Sequence, residues 1–435
     1  MATAFLTDRY ELTMVEAALR SGRASCPATF ELFTRRLPDR RPWGVFAGLS
    51  RLTEAIEDFR FGPAELDWLS DNDVVSDRTL DWLSTYRFGG QVDAYREGEL
   101  YAAGSPVLTV EGTFAEAVVL ETIALSILNF DSAVAAAASL ISCAAGDRPV
   151  IEMGSRRAEP MAAVAAARAA YLAGFASTSN LEAGRRYGVP TAGTASHAFV
   201  LAYPSEKEAF AAQVAAWGPG TTLLVDTFDI AQGIRNAVEV AGPELGGVRI
   251  DSGDLGREAA RARALLDELG ATRTRLVVTG DLDAHTIAAL GGAPVDSYGV
   301  GANVVTGMGA PTAGFVYKLV AIGDPGDAPG TPQRPVAKRS AGKASFGGRK
   351  WAWRALLDEC PRRLGPGAPS ADGPVWADIV TTSPQSPEAG ARPLEVRAID
   401  AGEVVHRPAL AEVRTFHAEV RDAIGPNGPL VLDRR

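Results

Sequence analysis

Hydrophobic positions follow two rhythms along this chain, and the change from one to the other marks its organisation. Over roughly the first hundred residues the pattern is mixed. Glu11–Arg20 repeats apolar side chains at helical spacing, Ala28–Phe33 reads as a strand, and Leu49–Asp58 and Leu80–Thr85 read again as helices. Gly90–Thr113 alternates apolar and polar residues between Gly and Pro breaks, which predicts the strands of a small sheet. From Phe114 long helices alternate with short apolar strands at Pro149–Met153, Thr222–Val225, Gly247–Ile250, Arg275–Val278 and Val295–Tyr298. Each is a short apolar run, as expected of a strand buried on both faces. Ile230–Ala241 and Arg257–Leu269 are the helices between them, so the chain repeats strand then helix, and that order predicts parallel pairing.

After Lys318 the order weakens. Gly323–Gln333 is rich in Pro, Gly and Asp and reads as an exposed loop. A basic run follows, in which Lys338, Lys343, Arg349 and Lys350 suggest a solvated loop. A second Pro/Gly-rich stretch lies near 361–374, and the tail holds a few strands and a helix near Ala409–Ala423. Three segments result: a mixed α/β domain at 1–113, an α/β barrel at 114–318, and a segment at 319–435 expected to pack beside the N-terminal sheet.

Composition narrows the function. A chain of 435 residues with 46% hydrophobic and 22% charged side chains has an ordinary globular balance and enough length for a large core. Its net charge of −10 argues against general binding to nucleic acid or an acidic membrane, because there is no cation excess to neutralise phosphates. The N-terminus has no basic region followed by an apolar run, so no signal peptide is expected. The apolar stretches Ala133–Ala145 and Ala162–Tyr171 are alanine-rich and interrupted, the pattern of buried helices rather than membrane spans. Cys26, Cys143 and Cys360 are widely separated and form no metal or disulfide pattern, which fits a cytoplasmic setting.

Candidate chemistry lies just beyond the strands. Met153 leads into GSRR, Val225 into Asp226, Ile250 into DSGDL, Val278 into TGDLD and Tyr298 into GVGANVVTG. In a barrel these ends converge on one mouth. Gly-rich turns such as Gly299–Gly301 admit phosphate oxygens to backbone N–H groups. Asp251 and Asp281 suit ribose hydroxyls or Mg²⁺. Arg156 and Arg249 offer forked donors to a phosphate or carboxylate, or pair with an acid across the mouth. Together these favour a sugar-phosphate enzyme. No lysine ends a strand between 149 and 298, which sets aside a Schiff-base aldolase. Of four histidines, His285 reads as a helix cap or surface residue, and His406 and His417 lie in the tail. His197 follows an expected strand at Val189–Ala192 and is crowded by Gly193, Thr194 and Ser196, which leave room for a ligand. On spacing alone the ring is as readily structural as functional.

The motifs LTDRYELTM (6–14), EMGSRRA (152–158), GF-x-x-TSN-x-x-AG (174–184), GVPTAGTASHAF (188–199), DSGDL (251–255), GDLD (280–283), YGVGANVVTG (298–307) and GFVYKL (314–319) occur in an order that resembles nicotinate phosphoribosyltransferases, most closely those of actinobacterial type. The resemblance spans almost the whole chain. It implies an irregular α/β barrel of the type II phosphoribosyltransferase kind, with a flanking mixed α+β domain built from both termini. It also implies synthesis of nicotinate mononucleotide from nicotinate and phosphoribosyl pyrophosphate, assisted by ATP and Mg²⁺, in a homodimer with shared active sites.

The same resemblance implies residue roles. His197 would be the phosphorylated histidine. Tyr10, stacking across the dimer interface, would join Met153, Asn180, Thr194 and Arg249 around nicotinate. Arg156, Asp251, Gly280, Asp281, Gly301 and Ala302 would line the donor's phosphate and ribose. Asn180 stands where the related nicotinamide enzyme carries an Asp, which favours a carboxylate substrate. The basic run at 338–350 would reach a phosphate across the dimer. One departure stands out. The family's phosphate turn usually reads GVGT, and here Ala302 replaces the threonine. The alternatives are a related enzyme acting on nicotinamide or quinolinate, and a nucleotide-binding paralogue without catalysis. The quinolinate enzyme would have no use for a phosphorylated His197.

Overall fold

The computed structural model describes residues 3–39, 41–328, 330–340, 345–358, 374–425 and 428–435. Lys343, Cys360 and the Pro/Gly-rich stretch 361–373 lie outside them. The described chain forms two units, one of Met1–Ala133 with Thr312–Arg435 and one of Val134–Pro311.

In the first unit a seven-stranded antiparallel sheet runs in the order Arg334–Pro335, Phe315–Ile322, Pro27–Thr34, Leu108–Thr113, Gln91–Tyr95, Glu395–Asp400, Glu403–Val404. Helix Arg9–Ser21 buries Leu12, Val15 and Ala18, one helical face at spacings of three, and with them the carboxyl group of Glu11. The boundaries expected at 113/114 and 318/319 move to 133/134 and 311/312. The cause is packing. Ile123, Ala124 and Leu128 belong to this unit's core, and Asn129 Oδ1 accepts the Phe315 N–H at 2.8 Å. Phe315–Ile322 is then held by its ladder to Pro27–Thr34.

The tail divides between two sheets. Glu395–Asp400 and Glu403–Val404 join the N-terminal sheet, but Arg392–Pro393, Trp351–Leu357, Val375–Thr381 and Leu430–Arg434 form a sheet of their own. Val375–Thr381 pairs with the edge strand Leu430–Arg434 in parallel. Such a pairing is made across a long connection, here containing helix Leu410–Ile424, and local periodicity does not announce it. Helix Pro63–Asp71 was not anticipated either, because Leu69 alone of its nine residues is buried.

The second unit is a six-stranded sheet in the order Ser177–Thr178, Val150–Glu152, Ser297–Val300, Arg275–Gly280, Gly247–Ile250, Thr222–Leu224. Every ladder in it is parallel. The sheet curls into a half-barrel, and among the described residues no ladder joins its two edges. Leu223, Val225, Val248, Ile250 and Leu276 pack against Ile234, Ala237, Ala262 and Leu266 of the covering helices. Helix Ile230–Ala241 starts at the Asp229 cap, whose side chain accepts the Gln232 N–H at 2.8 Å. It approaches so closely that a Cβ at Gly233 would lie 2.3 Å from the Val225 carbonyl oxygen, which fixes the end of strand Thr222–Leu224.

Two strand readings need correction. The last strand is Ser297–Val300 rather than Val295–Tyr298, because Asp296 is used outside it to accept the Leu276 N–H at 2.7 Å. Gly299 therefore belongs to a strand and not to the turn. Val189–Ala192 forms no strand, only a single bridge from Thr191 to Thr178. Phe114–Ala145 is the one stretch among the described residues long and apolar enough to cross a membrane. Its most apolar window is 72% buried, as in the core helix of a folded domain.

Candidate active site

The carboxyl ends of the parallel strands bring together most of the expected residues of the second unit. Arg249, near the end of Gly247–Ile250, reaches three segments at once. Its Nε donates to Thr279 Oγ1 at 2.9 Å, and its Nη1 to Thr194 Oγ1 at 2.8 Å and the Ala195 carbonyl at 3.2 Å. Its Nη2 stands 3.3 Å from Asp251 Oδ2. Thr279 passes the chain on, donating from Oγ1 to Asp251 Oδ1 at 2.5 Å. The ion pair expected as an alternative use of Arg249 is thus present, and a forked cation is held rigidly in the mouth.

His197 is the first residue of helix His197–Leu201 and its side chain is 43% exposed. Nδ1 lies 3.1 Å from Thr227 Oγ1, and Nε2 lies 4.0 Å from Asp251 Oδ2. The imidazole therefore has one nitrogen tethered and the other facing the carboxylate that Arg249 also holds. Behind it, Asp226 Oδ2 accepts the Asp251 N–H at 2.8 Å and the Ser252 hydroxyl at 2.7 Å, so it shapes the turn on which Asp251 sits. Its Oδ1 is buried and accepts no hydrogen bond among the described residues. A groove of about 1000 Å³ opens beside Thr194, lined among others by Thr191, Phe199, Tyr203 and Trp217.

Two turns face each other across the ends of Val150–Glu152 and Ser297–Val300. The first carries Met153 and the exposed Arg156, on a single 3₁₀ turn at Ser155–Arg157. The second carries Gly301, which precedes the short helix Ala302–Val305. A Cβ at Gly154 would fall 2.3 Å from Val305 Cγ1 and 3.0 Å from the Gly301 carbonyl oxygen, so only glycine permits this approach. Met153 packs its sulfur over Gly299. Gly280 ends its strand at φ +130°, in a conformation natural to glycine, and the exposed Asp281 follows. Asn303 Nδ2 donates to the carbonyls of Asp281 and Leu282 at 3.3 and 3.0 Å and ties that loop to the second turn.

Asn180 has a structural use of its own. Its Oδ1 caps helix Leu181–Tyr187 by accepting the Ala183 N–H at 2.9 Å, and its Nδ2 donates to Ser155 Oγ at 3.1 Å. Tyr10 lies in the first unit, on helix Arg9–Ser21, and is 45% exposed. Partial burial, then the Glu121 carboxylate, push its phenol up to about 12. Arg349 and Lys350 are not a solvated loop. Arg349 pairs with Asp93 at 3.0 Å and Glu395 at 3.1 Å, and Lys350 with the buried Glu31 at 2.7 Å. Lys338 is exposed. His285 is exposed as well, while His417 is buried and donates from Nδ1 to the Gly98 carbonyl at 2.8 Å.

Glu152, Thr227 and Thr279 also belong to this mouth without a role in the sequence reading, and Asp226, noted there as a strand-end acid, gains its role from the turn it holds. Each ends or follows a parallel strand. That position is the available signal, and a hydroxyl there carries no charge to mark it. Among the described residues no group of three or more His, Cys, Asp and Glu side chains could hold a metal ion.

A curled parallel sheet with such a mouth defines an α/β enzyme whose substrates meet where parallel strands end. Residues 5–129 match the family model described as the nicotinate phosphoribosyltransferase N-terminal domain. Over 357 residues the chain is 57% identical to nicotinate phosphoribosyltransferase pncB1 of Mycobacterium tuberculosis, covering 80% of this chain and 77% of that protein. It is 39% identical to nicotinate phosphoribosyltransferase of Bacillus subtilis, over 74% of this chain and 67% of the relative. The crystal structure of human nicotinic acid phosphoribosyltransferase superposes with a TM-score of 0.78 at 26% identity, covering 98% of this chain and 97% of the other. The chain belongs to the nicotinate phosphoribosyltransferase family.

Proposed function

We propose that this enzyme joins nicotinate to phosphoribosyl pyrophosphate, giving nicotinate mononucleotide and pyrophosphate, and that ATP drives the reaction through a phosphoryl group carried on His197. The observation that carries the reading is the setting of the imidazole. One nitrogen is tethered to Thr227, and the ring is open to solvent beside Asp251 and Arg249. An imidazole nitrogen is a competent nucleophile near neutral pH. Attack on the γ-phosphorus of ATP would form an N–P bond and release ADP, and water would later break that bond to give phosphate.

Other residues follow from the same reading. Arg249 and Thr194 meet at 2.8 Å and suit the nicotinate carboxylate, and Met153 and Asn180 would complete the nicotinate site. Arg156, Asp251, Gly280, Asp281, Gly301 and Ala302 would receive the donor, with charge from the guanidinium and N–H groups from the turns. Magnesium fits this donor set as an ion that arrives with the diphosphate, held by Asp251 or Asp281 and not by a cage of protein ligands. When bound it would neutralise the diphosphate as pyrophosphate departs. A homodimer in which Tyr10 reaches the partner's pyridine ring completes the reading, with small molecules as the substrates and the cytoplasm as the setting.

The test is an assay of purified protein with nicotinate, phosphoribosyl pyrophosphate, Mg²⁺ and ATP, with His197→Ala alongside. ATP should stimulate the native enzyme and leave the variant unaffected. Turnover that ignores both ATP and the substitution would overturn the phosphohistidine reading.

A further inference from the structure

Glu152 is the last residue of strand Val150–Glu152 and is completely buried. A carboxylate at such a position costs stability unless its oxygens are satisfied. Burial raises its pKa, against the opposing pull of the bonds it accepts. Both oxygens are committed, one to the turn that follows and one to the edge strand Ser177–Thr178. Oε1 accepts the Gly154 N–H, and Oε2 accepts the Thr178 hydroxyl at 2.5 Å. Thr178 Oγ1 in turn accepts the Asn180 N–H at 3.0 Å, and Asn180 Nδ2 returns to Ser155 Oγ at 3.1 Å. The path Glu152–Thr178–Asn180–Ser155 is thus a closed bracket around the turn that carries Arg156. On its open side that turn lies against the Gly301 carbonyl and Val305, at the tight Gly154 approach.

We propose that Glu152 is a positioning residue, whose carboxylate locks the Arg156 turn against the Gly301–Ala302 turn and so sets the geometry in which the donor's phosphates are received. The inference rests on the proposed placing of phosphoribosyl pyrophosphate at those two turns. An apolar side chain would fill the same core space at lower cost. What the carboxylate adds is direction, since it fixes the N–H of the Gly154 turn and the hydroxyl that ends the neighbouring strand at once. Displacement of a phosphate-binding turn by a fraction of an ångström is expected to show in donor binding before it shows in folding.

The experiment measures kcat, both KM values and the melting temperature for Glu152→Ala, Glu152→Gln, Thr178→Val and Arg156→Ala. Glu152→Ala and Thr178→Val should raise the KM for phosphoribosyl pyrophosphate about tenfold, and clearly more than the KM for nicotinate. Glu152→Gln, which keeps an acceptor for Gly154 and a polar partner for Thr178, should stay within about threefold of the native value. A lower melting temperature with an unchanged donor KM would mark an ordinary core residue and overturn the proposal. If Glu152→Ala does not fold, Thr178→Val alone decides on the same criterion. Arg156→Ala tests the underlying reading separately. An unchanged donor KM in that variant would withdraw the donor turn itself, whatever Glu152 does.

Discussion

His197 Nε2 stands 4.0 Å from Asp251 Oδ2, and the same oxygen faces Arg249 Nη2 at 3.3 Å. One carboxylate therefore neutralises the guanidinium and stands beside the imidazole, which Thr227 tethers. Its other oxygen is already taken by Thr279. Asp251→Asn keeps the shape and the acceptor for Thr279 but removes the charge. Removing one preorganised electrostatic partner at a reacting centre costs about 10²–10³ in turnover where an oxyanion-hole donor is lost, and the same order is expected here. ATP-coupled kcat should fall by that order while the fold persists, as judged by melting temperature. A change of only a few-fold would show that Asp251 acts on neither ring nor donor.

Ala302 is the first residue of the short helix Ala302–Val305 and follows the turn at Gly301. Restoring the family's threonine adds a hydroxyl where the donor's phosphate is proposed to lie. A hydrogen bond to a charged group contributes about 1.5–3 kcal/mol, so Ala302→Thr should lower the donor KM by about tenfold or more. Steady-state kinetics at saturating nicotinate check this. An unaltered donor KM would mean that the backbone N–H groups of the turn already do all the recognition.

Much of this arrangement was legible in the chain itself, and the exceptions have physical causes. Gly247–Ile250 and Arg275–Gly280 are buried on both faces, so their apolar runs stand out in any context. Ser177–Thr178, a polar pair at the sheet edge, has no such run, and Val189–Ala192 has one without a ladder to join. The site divides in the same way. Arg249, Asp251 and His197 announce themselves by charge and neighbours. Thr227 and Thr279 do not, because a hydroxyl gains its role only when folding brings a partner 30 residues away within reach. Asp226 and Glu152 look like ordinary strand-end acids until their backbone partners are seen.

Glu11 gives the fold a pH dependence of defined sign. It is fully buried, with Thr122 donating its N–H at 2.8 Å and its hydroxyl at 2.6 Å. Burial pushes its pKa from the ordinary 4.5 to about 7. The folded chain therefore holds a proton between those values that the unfolded chain releases. The resulting stabilisation is full below about pH 4.5 and is lost as pH rises through about 7. His417 works in the opposite direction, since burial lowers it from 6.5 to about 4 and its contribution is lost as pH falls through that value. Glu11→Gln removes the first effect and leaves the second. The melting temperature of the variant should fall less than that of the native protein between pH 5 and 7.5, which straddles the upper part of the Glu11 window. Parallel curves for the two proteins would refute the assignment.

Shared active sites make a prediction that no single variant can. Tyr10 belongs to the first unit and His197 to the second, and the proposed homodimer takes one from each subunit at every site. Tyr10→Ala and His197→Ala should each be nearly inactive, the former through nicotinate binding and the latter through loss of ATP coupling. A mixed dimer then carries one site that lacks both side chains and one that has both. If subunits exchange freely in a two-fold dimer, an equal mixture holds about half mixed dimers, and activity should recover to about a quarter of the native value. Ordinary sites built within one subunit would give no recovery on mixing, because every site would still lack Tyr10 or His197. The comparison needs refolding or co-expression to secure exchange, with mixed dimers separated by two affinity tags. Recovery in the doubly tagged fraction supports the shared site, and its absence there places Tyr10 outside the partner's chemistry.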